Sequence, residues 1–232
     1  MLKTLSMYWR FLQNPKLLKQ SKDNKTLWSE FFWLLLLNLL FGGIVISTYL
    51  ILLHFKIINE YEENIDLLKQ YGVVLGFIVI CILTPIIEEY LFRWHLRKRH
   101  GTIYFTCFVL ASITSFLLDK SYLTWAVFAF FIILAFILHG YINRISMTKR
   151  QLVWDKSYWL IFYLTAIFFG LIHFSNIKGL TLSDPSFLIF TLSQMFGGLS
   201  LGYLRIKYGI RYSILLHGCF NLILLLLELA FG

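Results

Sequence analysis

The stretch Thr84–Leu96, "TPIIEEYLFRWHL", closes an apolar run that begins near residue 71 and is long enough to enter a membrane. It carries two adjacent carboxylates, Glu88 and Glu89, and an arginine, Arg93. A charged side chain at mid-bilayer costs about 2.5–3.5 kcal/mol on insertion scales, so charges there need a partner, a cavity or a site. The surrounding chain has the same texture. Of its 232 residues, 59% are hydrophobic, 19% aromatic and 14% charged. The apolar residues fall in blocks of about twenty, the length that crosses a hydrocarbon core of roughly 30 Å as helix. The expected fold is therefore all-α: a polytopic transmembrane helix bundle of about seven spans. They are placed near 29–55, 71–92, 102–118, 122–142, 158–175, 186–204 and 211–231.

The net charge of +9 follows membrane orientation rather than nucleic-acid binding. Seventeen of the 21 Lys and Arg residues sit in the N-terminal tail and in alternate linkers: Arg93–Arg99, Arg144–Lys156 and Arg205–Arg211. The remaining linkers hold Lys56, Lys69, Lys120 and Lys178, with an acidic cluster at Glu60, Glu62, Glu63 and Asp66. The positive-inside rule then puts the N-terminus in and the C-terminus out. Trp94, Trp154, Tyr158, Trp159, Tyr208 and Tyr212 are expected as an interfacial belt on the inner side. Gly72/Gly76 and Gly198/Gly202 read as small-xxx-small packing pairs. Residues 1–26 are expected to form a cytoplasmic basic arm on the anionic leaflet, with no cleavable signal, ahead of a single domain over 27–232. Cys81, Cys107 and Cys219 all lie within apolar segments and read as inert thiols.

Three polar clusters stand out within the spans. On a helix, Glu89 and Arg93 share a face at i and i+4, whereas Glu88 is one step aside. Arg93 can thus neutralise Glu89 and leave Glu88 without a local partner, suited to a general base; an ion pair capping the helix end is the competing reading. The second cluster, "FFGLIHFSN", places Phe169 and His173 at i and i+4, with Asn176 a turn later. The third, "SILLHGCFN", does the same for His217 and Asn221, two donors that can aim at one oxyanion or bridge helices. A base, a histidine to share its water and a donor pair make a hydrolytic inventory. No HExxH is present, which excludes an ordinary helical zinc protease.

In order, "EEYLFR", "FGLIH" and "HGCFN" match EExxxR, FxxxH and HxxxN on separate hydrophobic helices. The chain here resembles the CAAX-protease and bacteriocin-processing (CPBP, Abi) family of intramembrane endopeptidases, which includes the type II CAAX prenyl endopeptidases. The similarity is best from about residue 162 to 227 and covers roughly 71–231. The resemblance implies that Glu88 and His173 activate water and that His217 and Asn221 hold the oxyanion. Glu89 and Arg93 would order the glutamate helix, with Phe169 and Asn176 in support. It also implies a glutamate-dependent protease without a cofactor; a zinc site of Glu88, His173 and His217 is the alternative. The chain departs from the family in spacing: Glu88 and His173 lie 85 residues apart against some 35, so residues about 102–142 read as an inserted helical hairpin.

Depth raises a further question. His173 lies some 14 residues into span five, roughly 21 Å, deeper than Glu88 and His217 at about 8–10 Å. Either helix five starts outside the bilayer, or it tilts, or the site is a water-filled cavity past the midplane. The expected partners are a peptide or protein substrate, membrane-associated or free, and the lipid bilayer, with no nucleic acid. The expected location is a bacterial plasma membrane, on the Lys-, Ile-, Asn- and Phe-rich composition. Competing functions are a non-catalytic scaffold or bacteriocin-immunity-type protein and, with less support, a transporter; no internal repeat favours the last.

Overall fold

A computed structural model describes residues 2–61, 67–118, 121–181 and 184–231; Glu62, Glu63 and Asp66 of the acidic cluster, and Lys120, lie outside them. The described residues are mostly helical. A short α1 (Leu2–Gln13) precedes α2 (Asn24–His54), which Asp23 caps by accepting from the Lys25 and Thr26 backbone N–H groups. Next comes α3 (Leu67–Phe77), running through a π-helical stretch (Ile78–Leu83) into α4 (Thr84–Arg93) and a 3-10 turn (Trp94–Arg97). Then follow α5 (Arg99–Leu118), α6 (Ser121–Asn143), α7 (Met147–Ile172) with a 3-10 turn (His173–Asn176), α8 (Ser186–Lys207) and α9 (Ile210–Phe231).

Among the described residues, seven helical segments are long and apolar enough to cross a membrane, as expected from the hydropathy blocks. The fifth differs in register. It starts at Met147, eleven residues before the expected 158, and Ile172 ends its α-helical part immediately before His173. The early start fits the first of the three alternatives for the depth of His173, a helix five that begins outside its most apolar stretch. At Gly72 the backbone has φ +74, so this glycine breaks the helix, and among the described residues no atom lies within 4 Å of where its Cβ would be. The packing reading fails there but holds on α8. A Cβ on Gly198 or Gly202 would press Ala166 Cα (3.2 Å) or the Phe162 ring (2.8 Å) of α7.

The basic stretches meet at one end of the bundle. Arg205 Nε donates to the Arg93 carbonyl (3.0 Å), and Arg97 Nη1 donates to the Leu18 (3.0 Å) and Ile206 carbonyls. Arg99 Nη2 reaches Met147 Sδ at 3.4 Å. The bonds to Arg93 and Ile206 satisfy carbonyls that the ends of α4 and α8 leave without helical partners. The N-terminal arm belongs to this closure. Tyr8 and Phe11 are buried against Phe162 and Tyr203, and Tyr163 donates to the Leu12 carbonyl. Only the opposite side of α1, with Trp9, faces outward. The cover also corrects the aromatic belt: Trp154, Tyr158 and Tyr208 are buried beneath it, whereas Trp94 and Trp159 are exposed. Tyr158 instead donates to the Leu96 carbonyl (2.8 Å), fixing the end of the α4 segment.

Candidate active site

The π-helical stretch sets the position of α4. Pro85 has no backbone N–H, so the Cys81 carbonyl loses its ordinary i+4 partner. Helix α9 passes directly over this irregular backbone. A Cβ on Gly218 would lie 2.7 Å from the Cys81 oxygen, so the approach needs glycine. One turn on, Asn221 Nδ2 donates to the Ile80 carbonyl at 2.9 Å. "HGCFN" therefore docks α9 on the segment that leads into "TPIIEE", and His217 arrives beside both glutamates. A π-helical insertion at such a place is a recurrent feature of functional sites. Pro85, two residues beyond the π stretch, was the available sequence signal for it, and Gly218 has a role the motif pattern HxxxN does not reveal.

Helical phase divides the two glutamates as expected. Glu89 Oε1 lies 3.1 Å from Arg93 Nη1, with both side chains fully buried. The Arg93 guanidinium carbon sits 3.7 Å from the centroid of Phe169, a cation–π contact. The phenylalanine of the second motif thus carries the arginine of the first. Phe169 also meets His173 edge to face at 4.6 Å and His217 at 6.0 Å, so one ring touches all three motifs.

Glu88 faces the histidines. Its Oε1 lies 3.7 Å from His173 Nε2 and its Oε2 lies 3.7 Å from His217 Nε2. Glu88 is 21% exposed and His173 17%, against none for Glu89. The other nitrogens of both rings are engaged. His173 Nδ1 donates to the Phe169 carbonyl at 2.7 Å, and His217 Nδ1 donates to Glu89 Oε1 at 3.1 Å. A carbonyl and a carboxylate can only accept, so both Nδ1 atoms carry a proton, and in the neutral form of each ring Nε2 presents a lone pair. The lone pairs face a carboxylate whose Oε2 is buried without a hydrogen-bond partner.

With neutral rings, Glu88 thus meets an acceptor at each of its two oxygens, with no donor among the three groups. Such a set binds a species that brings protons, and water with its two O–H groups matches it. Among the described residues, no three His, Cys, Asp or Glu side chains converge as a metal-ligand set. Of the other expected residues, Asn221 commits one amide hydrogen to Ile80 and keeps the second, while Asn176 is exposed at the end of its 3-10 turn. A cavity of about 180 Å³ adjoins the site, lined by Phe169, His217 and Asn221 and otherwise by mostly apolar residues of α2, α8 and α9. Asn38, which lines it too, donates to its own Leu34 carbonyl at 2.7 Å.

Among proteins of known family, residues 121–223 match the model described as type II CAAX prenyl endopeptidase Rce1-like. The matched stretch holds Phe169, His173, His217 and Asn221, and Glu88, Glu89 and Arg93 lie before it. No curated protein and no solved structure matches the chain. With seven helices among the described residues fit to span a bilayer, this is an integral membrane protein, and its stretch 121–223 is similar to the Rce1-like type II CAAX prenyl endopeptidases.

Proposed function

We propose that the protein is an intramembrane endopeptidase in which Glu88 activates a water molecule. The observation that carries this reading is the donor-free set of Glu88, His173 Nε2 and His217 Nε2. A water held there donates one hydrogen to Glu88 and the other to a histidine, which leaves its lone pair free for a substrate carbonyl. As the water oxygen bonds to the carbonyl carbon, Glu88 takes its proton. When the C–N bond breaks, that proton passes to the leaving amine, giving an acid and an amine. Asn221 offers its second amide hydrogen to the developing oxyanion, while His217, its Nδ1–H held by Glu89, orients the water through Nε2. Glu89, Arg93 and Phe169 hold this geometry without touching the reacting atoms.

The basic end, by the positive-inside rule, faces the cytoplasm, and a bacterial plasma membrane suits the composition. The substrate is a peptide or protein that presents an apolar side chain to the 180 Å³ cavity beside His217. Helices α5 and α6 pack chiefly on each other; α6 lies within the matched stretch, so in this reading only α5 stands outside it as an addition. Zinc held by Glu88, His173 and His217 is the second reading, favoured by the two inward Nε2 lone pairs; in it each Nδ1 hydrogen bond would serve to orient a ligand. The lack of a convergent ligand triplet weighs against it, and no step is assigned to a metal.

The test is cleavage of membrane-inserted and free peptides by the purified full chain, wild type against Glu88→Ala and His173→Ala, with and without chelator. Both variants should lose about 100-fold or more, with no effect of chelator. Unchanged cleavage by Glu88→Ala would remove the mechanism. Loss with chelator and rescue by zinc would establish the metal reading instead.

A further inference from the structure

A second cavity lies away from the catalytic residues, between α5, α6 and α7, and shares no lining residue with the one beside His217. Its volume is about 590 Å³. The deep part is apolar, with Ile103, Cys107, Leu110, Leu134 and Leu138 among its walls. Its mouth is basic and lies at the basic end of the bundle, where Arg99, Lys149 and Arg150 line it. A third cavity, of about 320 Å³, adjoins the mouth and adds Arg97 and Lys98. The two cavities share Arg99, His100 and Trp154, so an apolar slot and a cationic cup meet at three side chains.

Polar atoms at this junction lack partners. Arg99 Nη1, Arg150 Nε, Thr102 Oγ1, His100 Nδ1 and the indole N–H of Trp154 are all buried without a hydrogen bond. Trp154 is only 6% exposed, and a buried indole N–H normally finds an acceptor. The deficit is mainly one of acceptors, as two arginines and an indole can only donate. Helices α5 and α7 both begin here, so the positive ends of two helix dipoles add to the cations. His139 hydrogen-bonds Tyr104 (2.7 Å) and stacks on His100 (4.5 Å), bracing the wall of the slot.

We infer that this paired cavity binds an anionic phospholipid of the surrounding bilayer. Its phosphate accepts from Arg99, Arg150 and Trp154, and an acyl chain enters the slot between α5 and α6. Charge complementarity selects the headgroup, because the cup gathers cations and unpaired donors with no carboxylate among its lining residues. The apolar slot behind it selects a lipid over a soluble anion. The bound lipid would join the α5–α6 hairpin to α7, to which the hairpin is otherwise thinly attached.

The full chain, delipidated in detergent, is titrated with phosphatidylglycerol, phosphatidylcholine or inorganic phosphate. Tryptophan fluorescence follows binding, and native mass spectrometry counts the lipid retained. Phosphatidylglycerol should bind saturably and at least about tenfold more tightly than phosphatidylcholine, with phosphate a weak competitor. Arg99→Gln/Arg150→Gln should weaken it by about thirtyfold, and Arg150→Gln alone by about fivefold should the double variant fold poorly. Leu134→Trp, which fills the slot and leaves the charges in place, should abolish lipid retention and spare phosphate competition. Equal binding of the two lipids, or no effect of Arg150→Gln, would overturn the inference. So would phosphate as tight as phosphatidylglycerol together with an inert Leu134→Trp, which marks a free-anion site, or displacement of the lipid by an acidic peptide.

Discussion

Two places in the bundle hold buried glutamate, and they are built differently. Glu30, on α2, is fully buried, and each of its oxygens has a donor: Lys207 Nζ at 2.6 Å and the Tyr203 hydroxyl at 2.9 Å. Lys207 also donates to Tyr203 at 2.9 Å, closing a three-membered network between α2 and α8. Glu88, on α4, is surrounded by acceptors and partly open to solvent. The first arrangement is complete and can only hold helices together. The second lacks protons and is completed only by something from outside. Buried charge alone does not mark a site; the balance of donors and acceptors around it does.

This contrast can be broken by substitution. Glu30→Ala leaves Lys207 without its carboxylate and should cost about 3–5 kcal/mol, read as a lowered melting temperature, while cleavage per folded molecule is kept. Loss of cleavage without loss of stability would assign Glu30 to the chemistry. Gly218→Ala drives a methyl group into the Cys81 carbonyl and should cost about 1–3 kcal/mol. It should also lower the cleavage rate, because His217 sits on the adjacent residue; a rate equal to wild type would show that the α4–α9 spacing does not matter.

The Glu88 side should respond to smaller changes. Asn221→Ala strands the Ile80 carbonyl and should cost about 1–3 kcal/mol of stability. A rate deficit of about 100-fold beyond the unfolding would place its second hydrogen on the oxyanion, and no such deficit would restrict it to docking. The mildest effect is expected for Phe169→Leu, which keeps the volume and removes the cation–π contact with Arg93, at about 0.5–2 kcal/mol in melting measurements.

Much of the α4 site was legible because helical phase is local. Glu89 and Arg93, four residues apart, had to share a face, and Glu88 had to leave it. The seven spans were legible for the same reason, since hydropathy is a property of short windows. Contacts across the bundle were not. Glu30 stood at the edge of the first span, and its partners Tyr203 and Lys207 are 173 and 177 residues away. Lys207 read simply as one of the orienting charges. Tautomers were equally hidden, because the Nδ1 protons of His173 and His217 are fixed by a carbonyl and a carboxylate that only the folded chain brings within reach. Asn221 appeared as a donor to substrate, and the backbone it also serves exists only where Pro85 and the π-helical stretch disturb the helix.

The most direct measurement compares Glu88→Gln with wild type in cleavage rate and thermal unfolding, on the same preparation. Glutamine keeps the shape and removes the base, so the rate should fall by about 10²–10⁴-fold while the melting temperature stays put. Cleavage within about twofold of wild type, or a fall in melting temperature as large as that of Glu30→Ala, would contradict the assignment of Glu88 as the water-activating base.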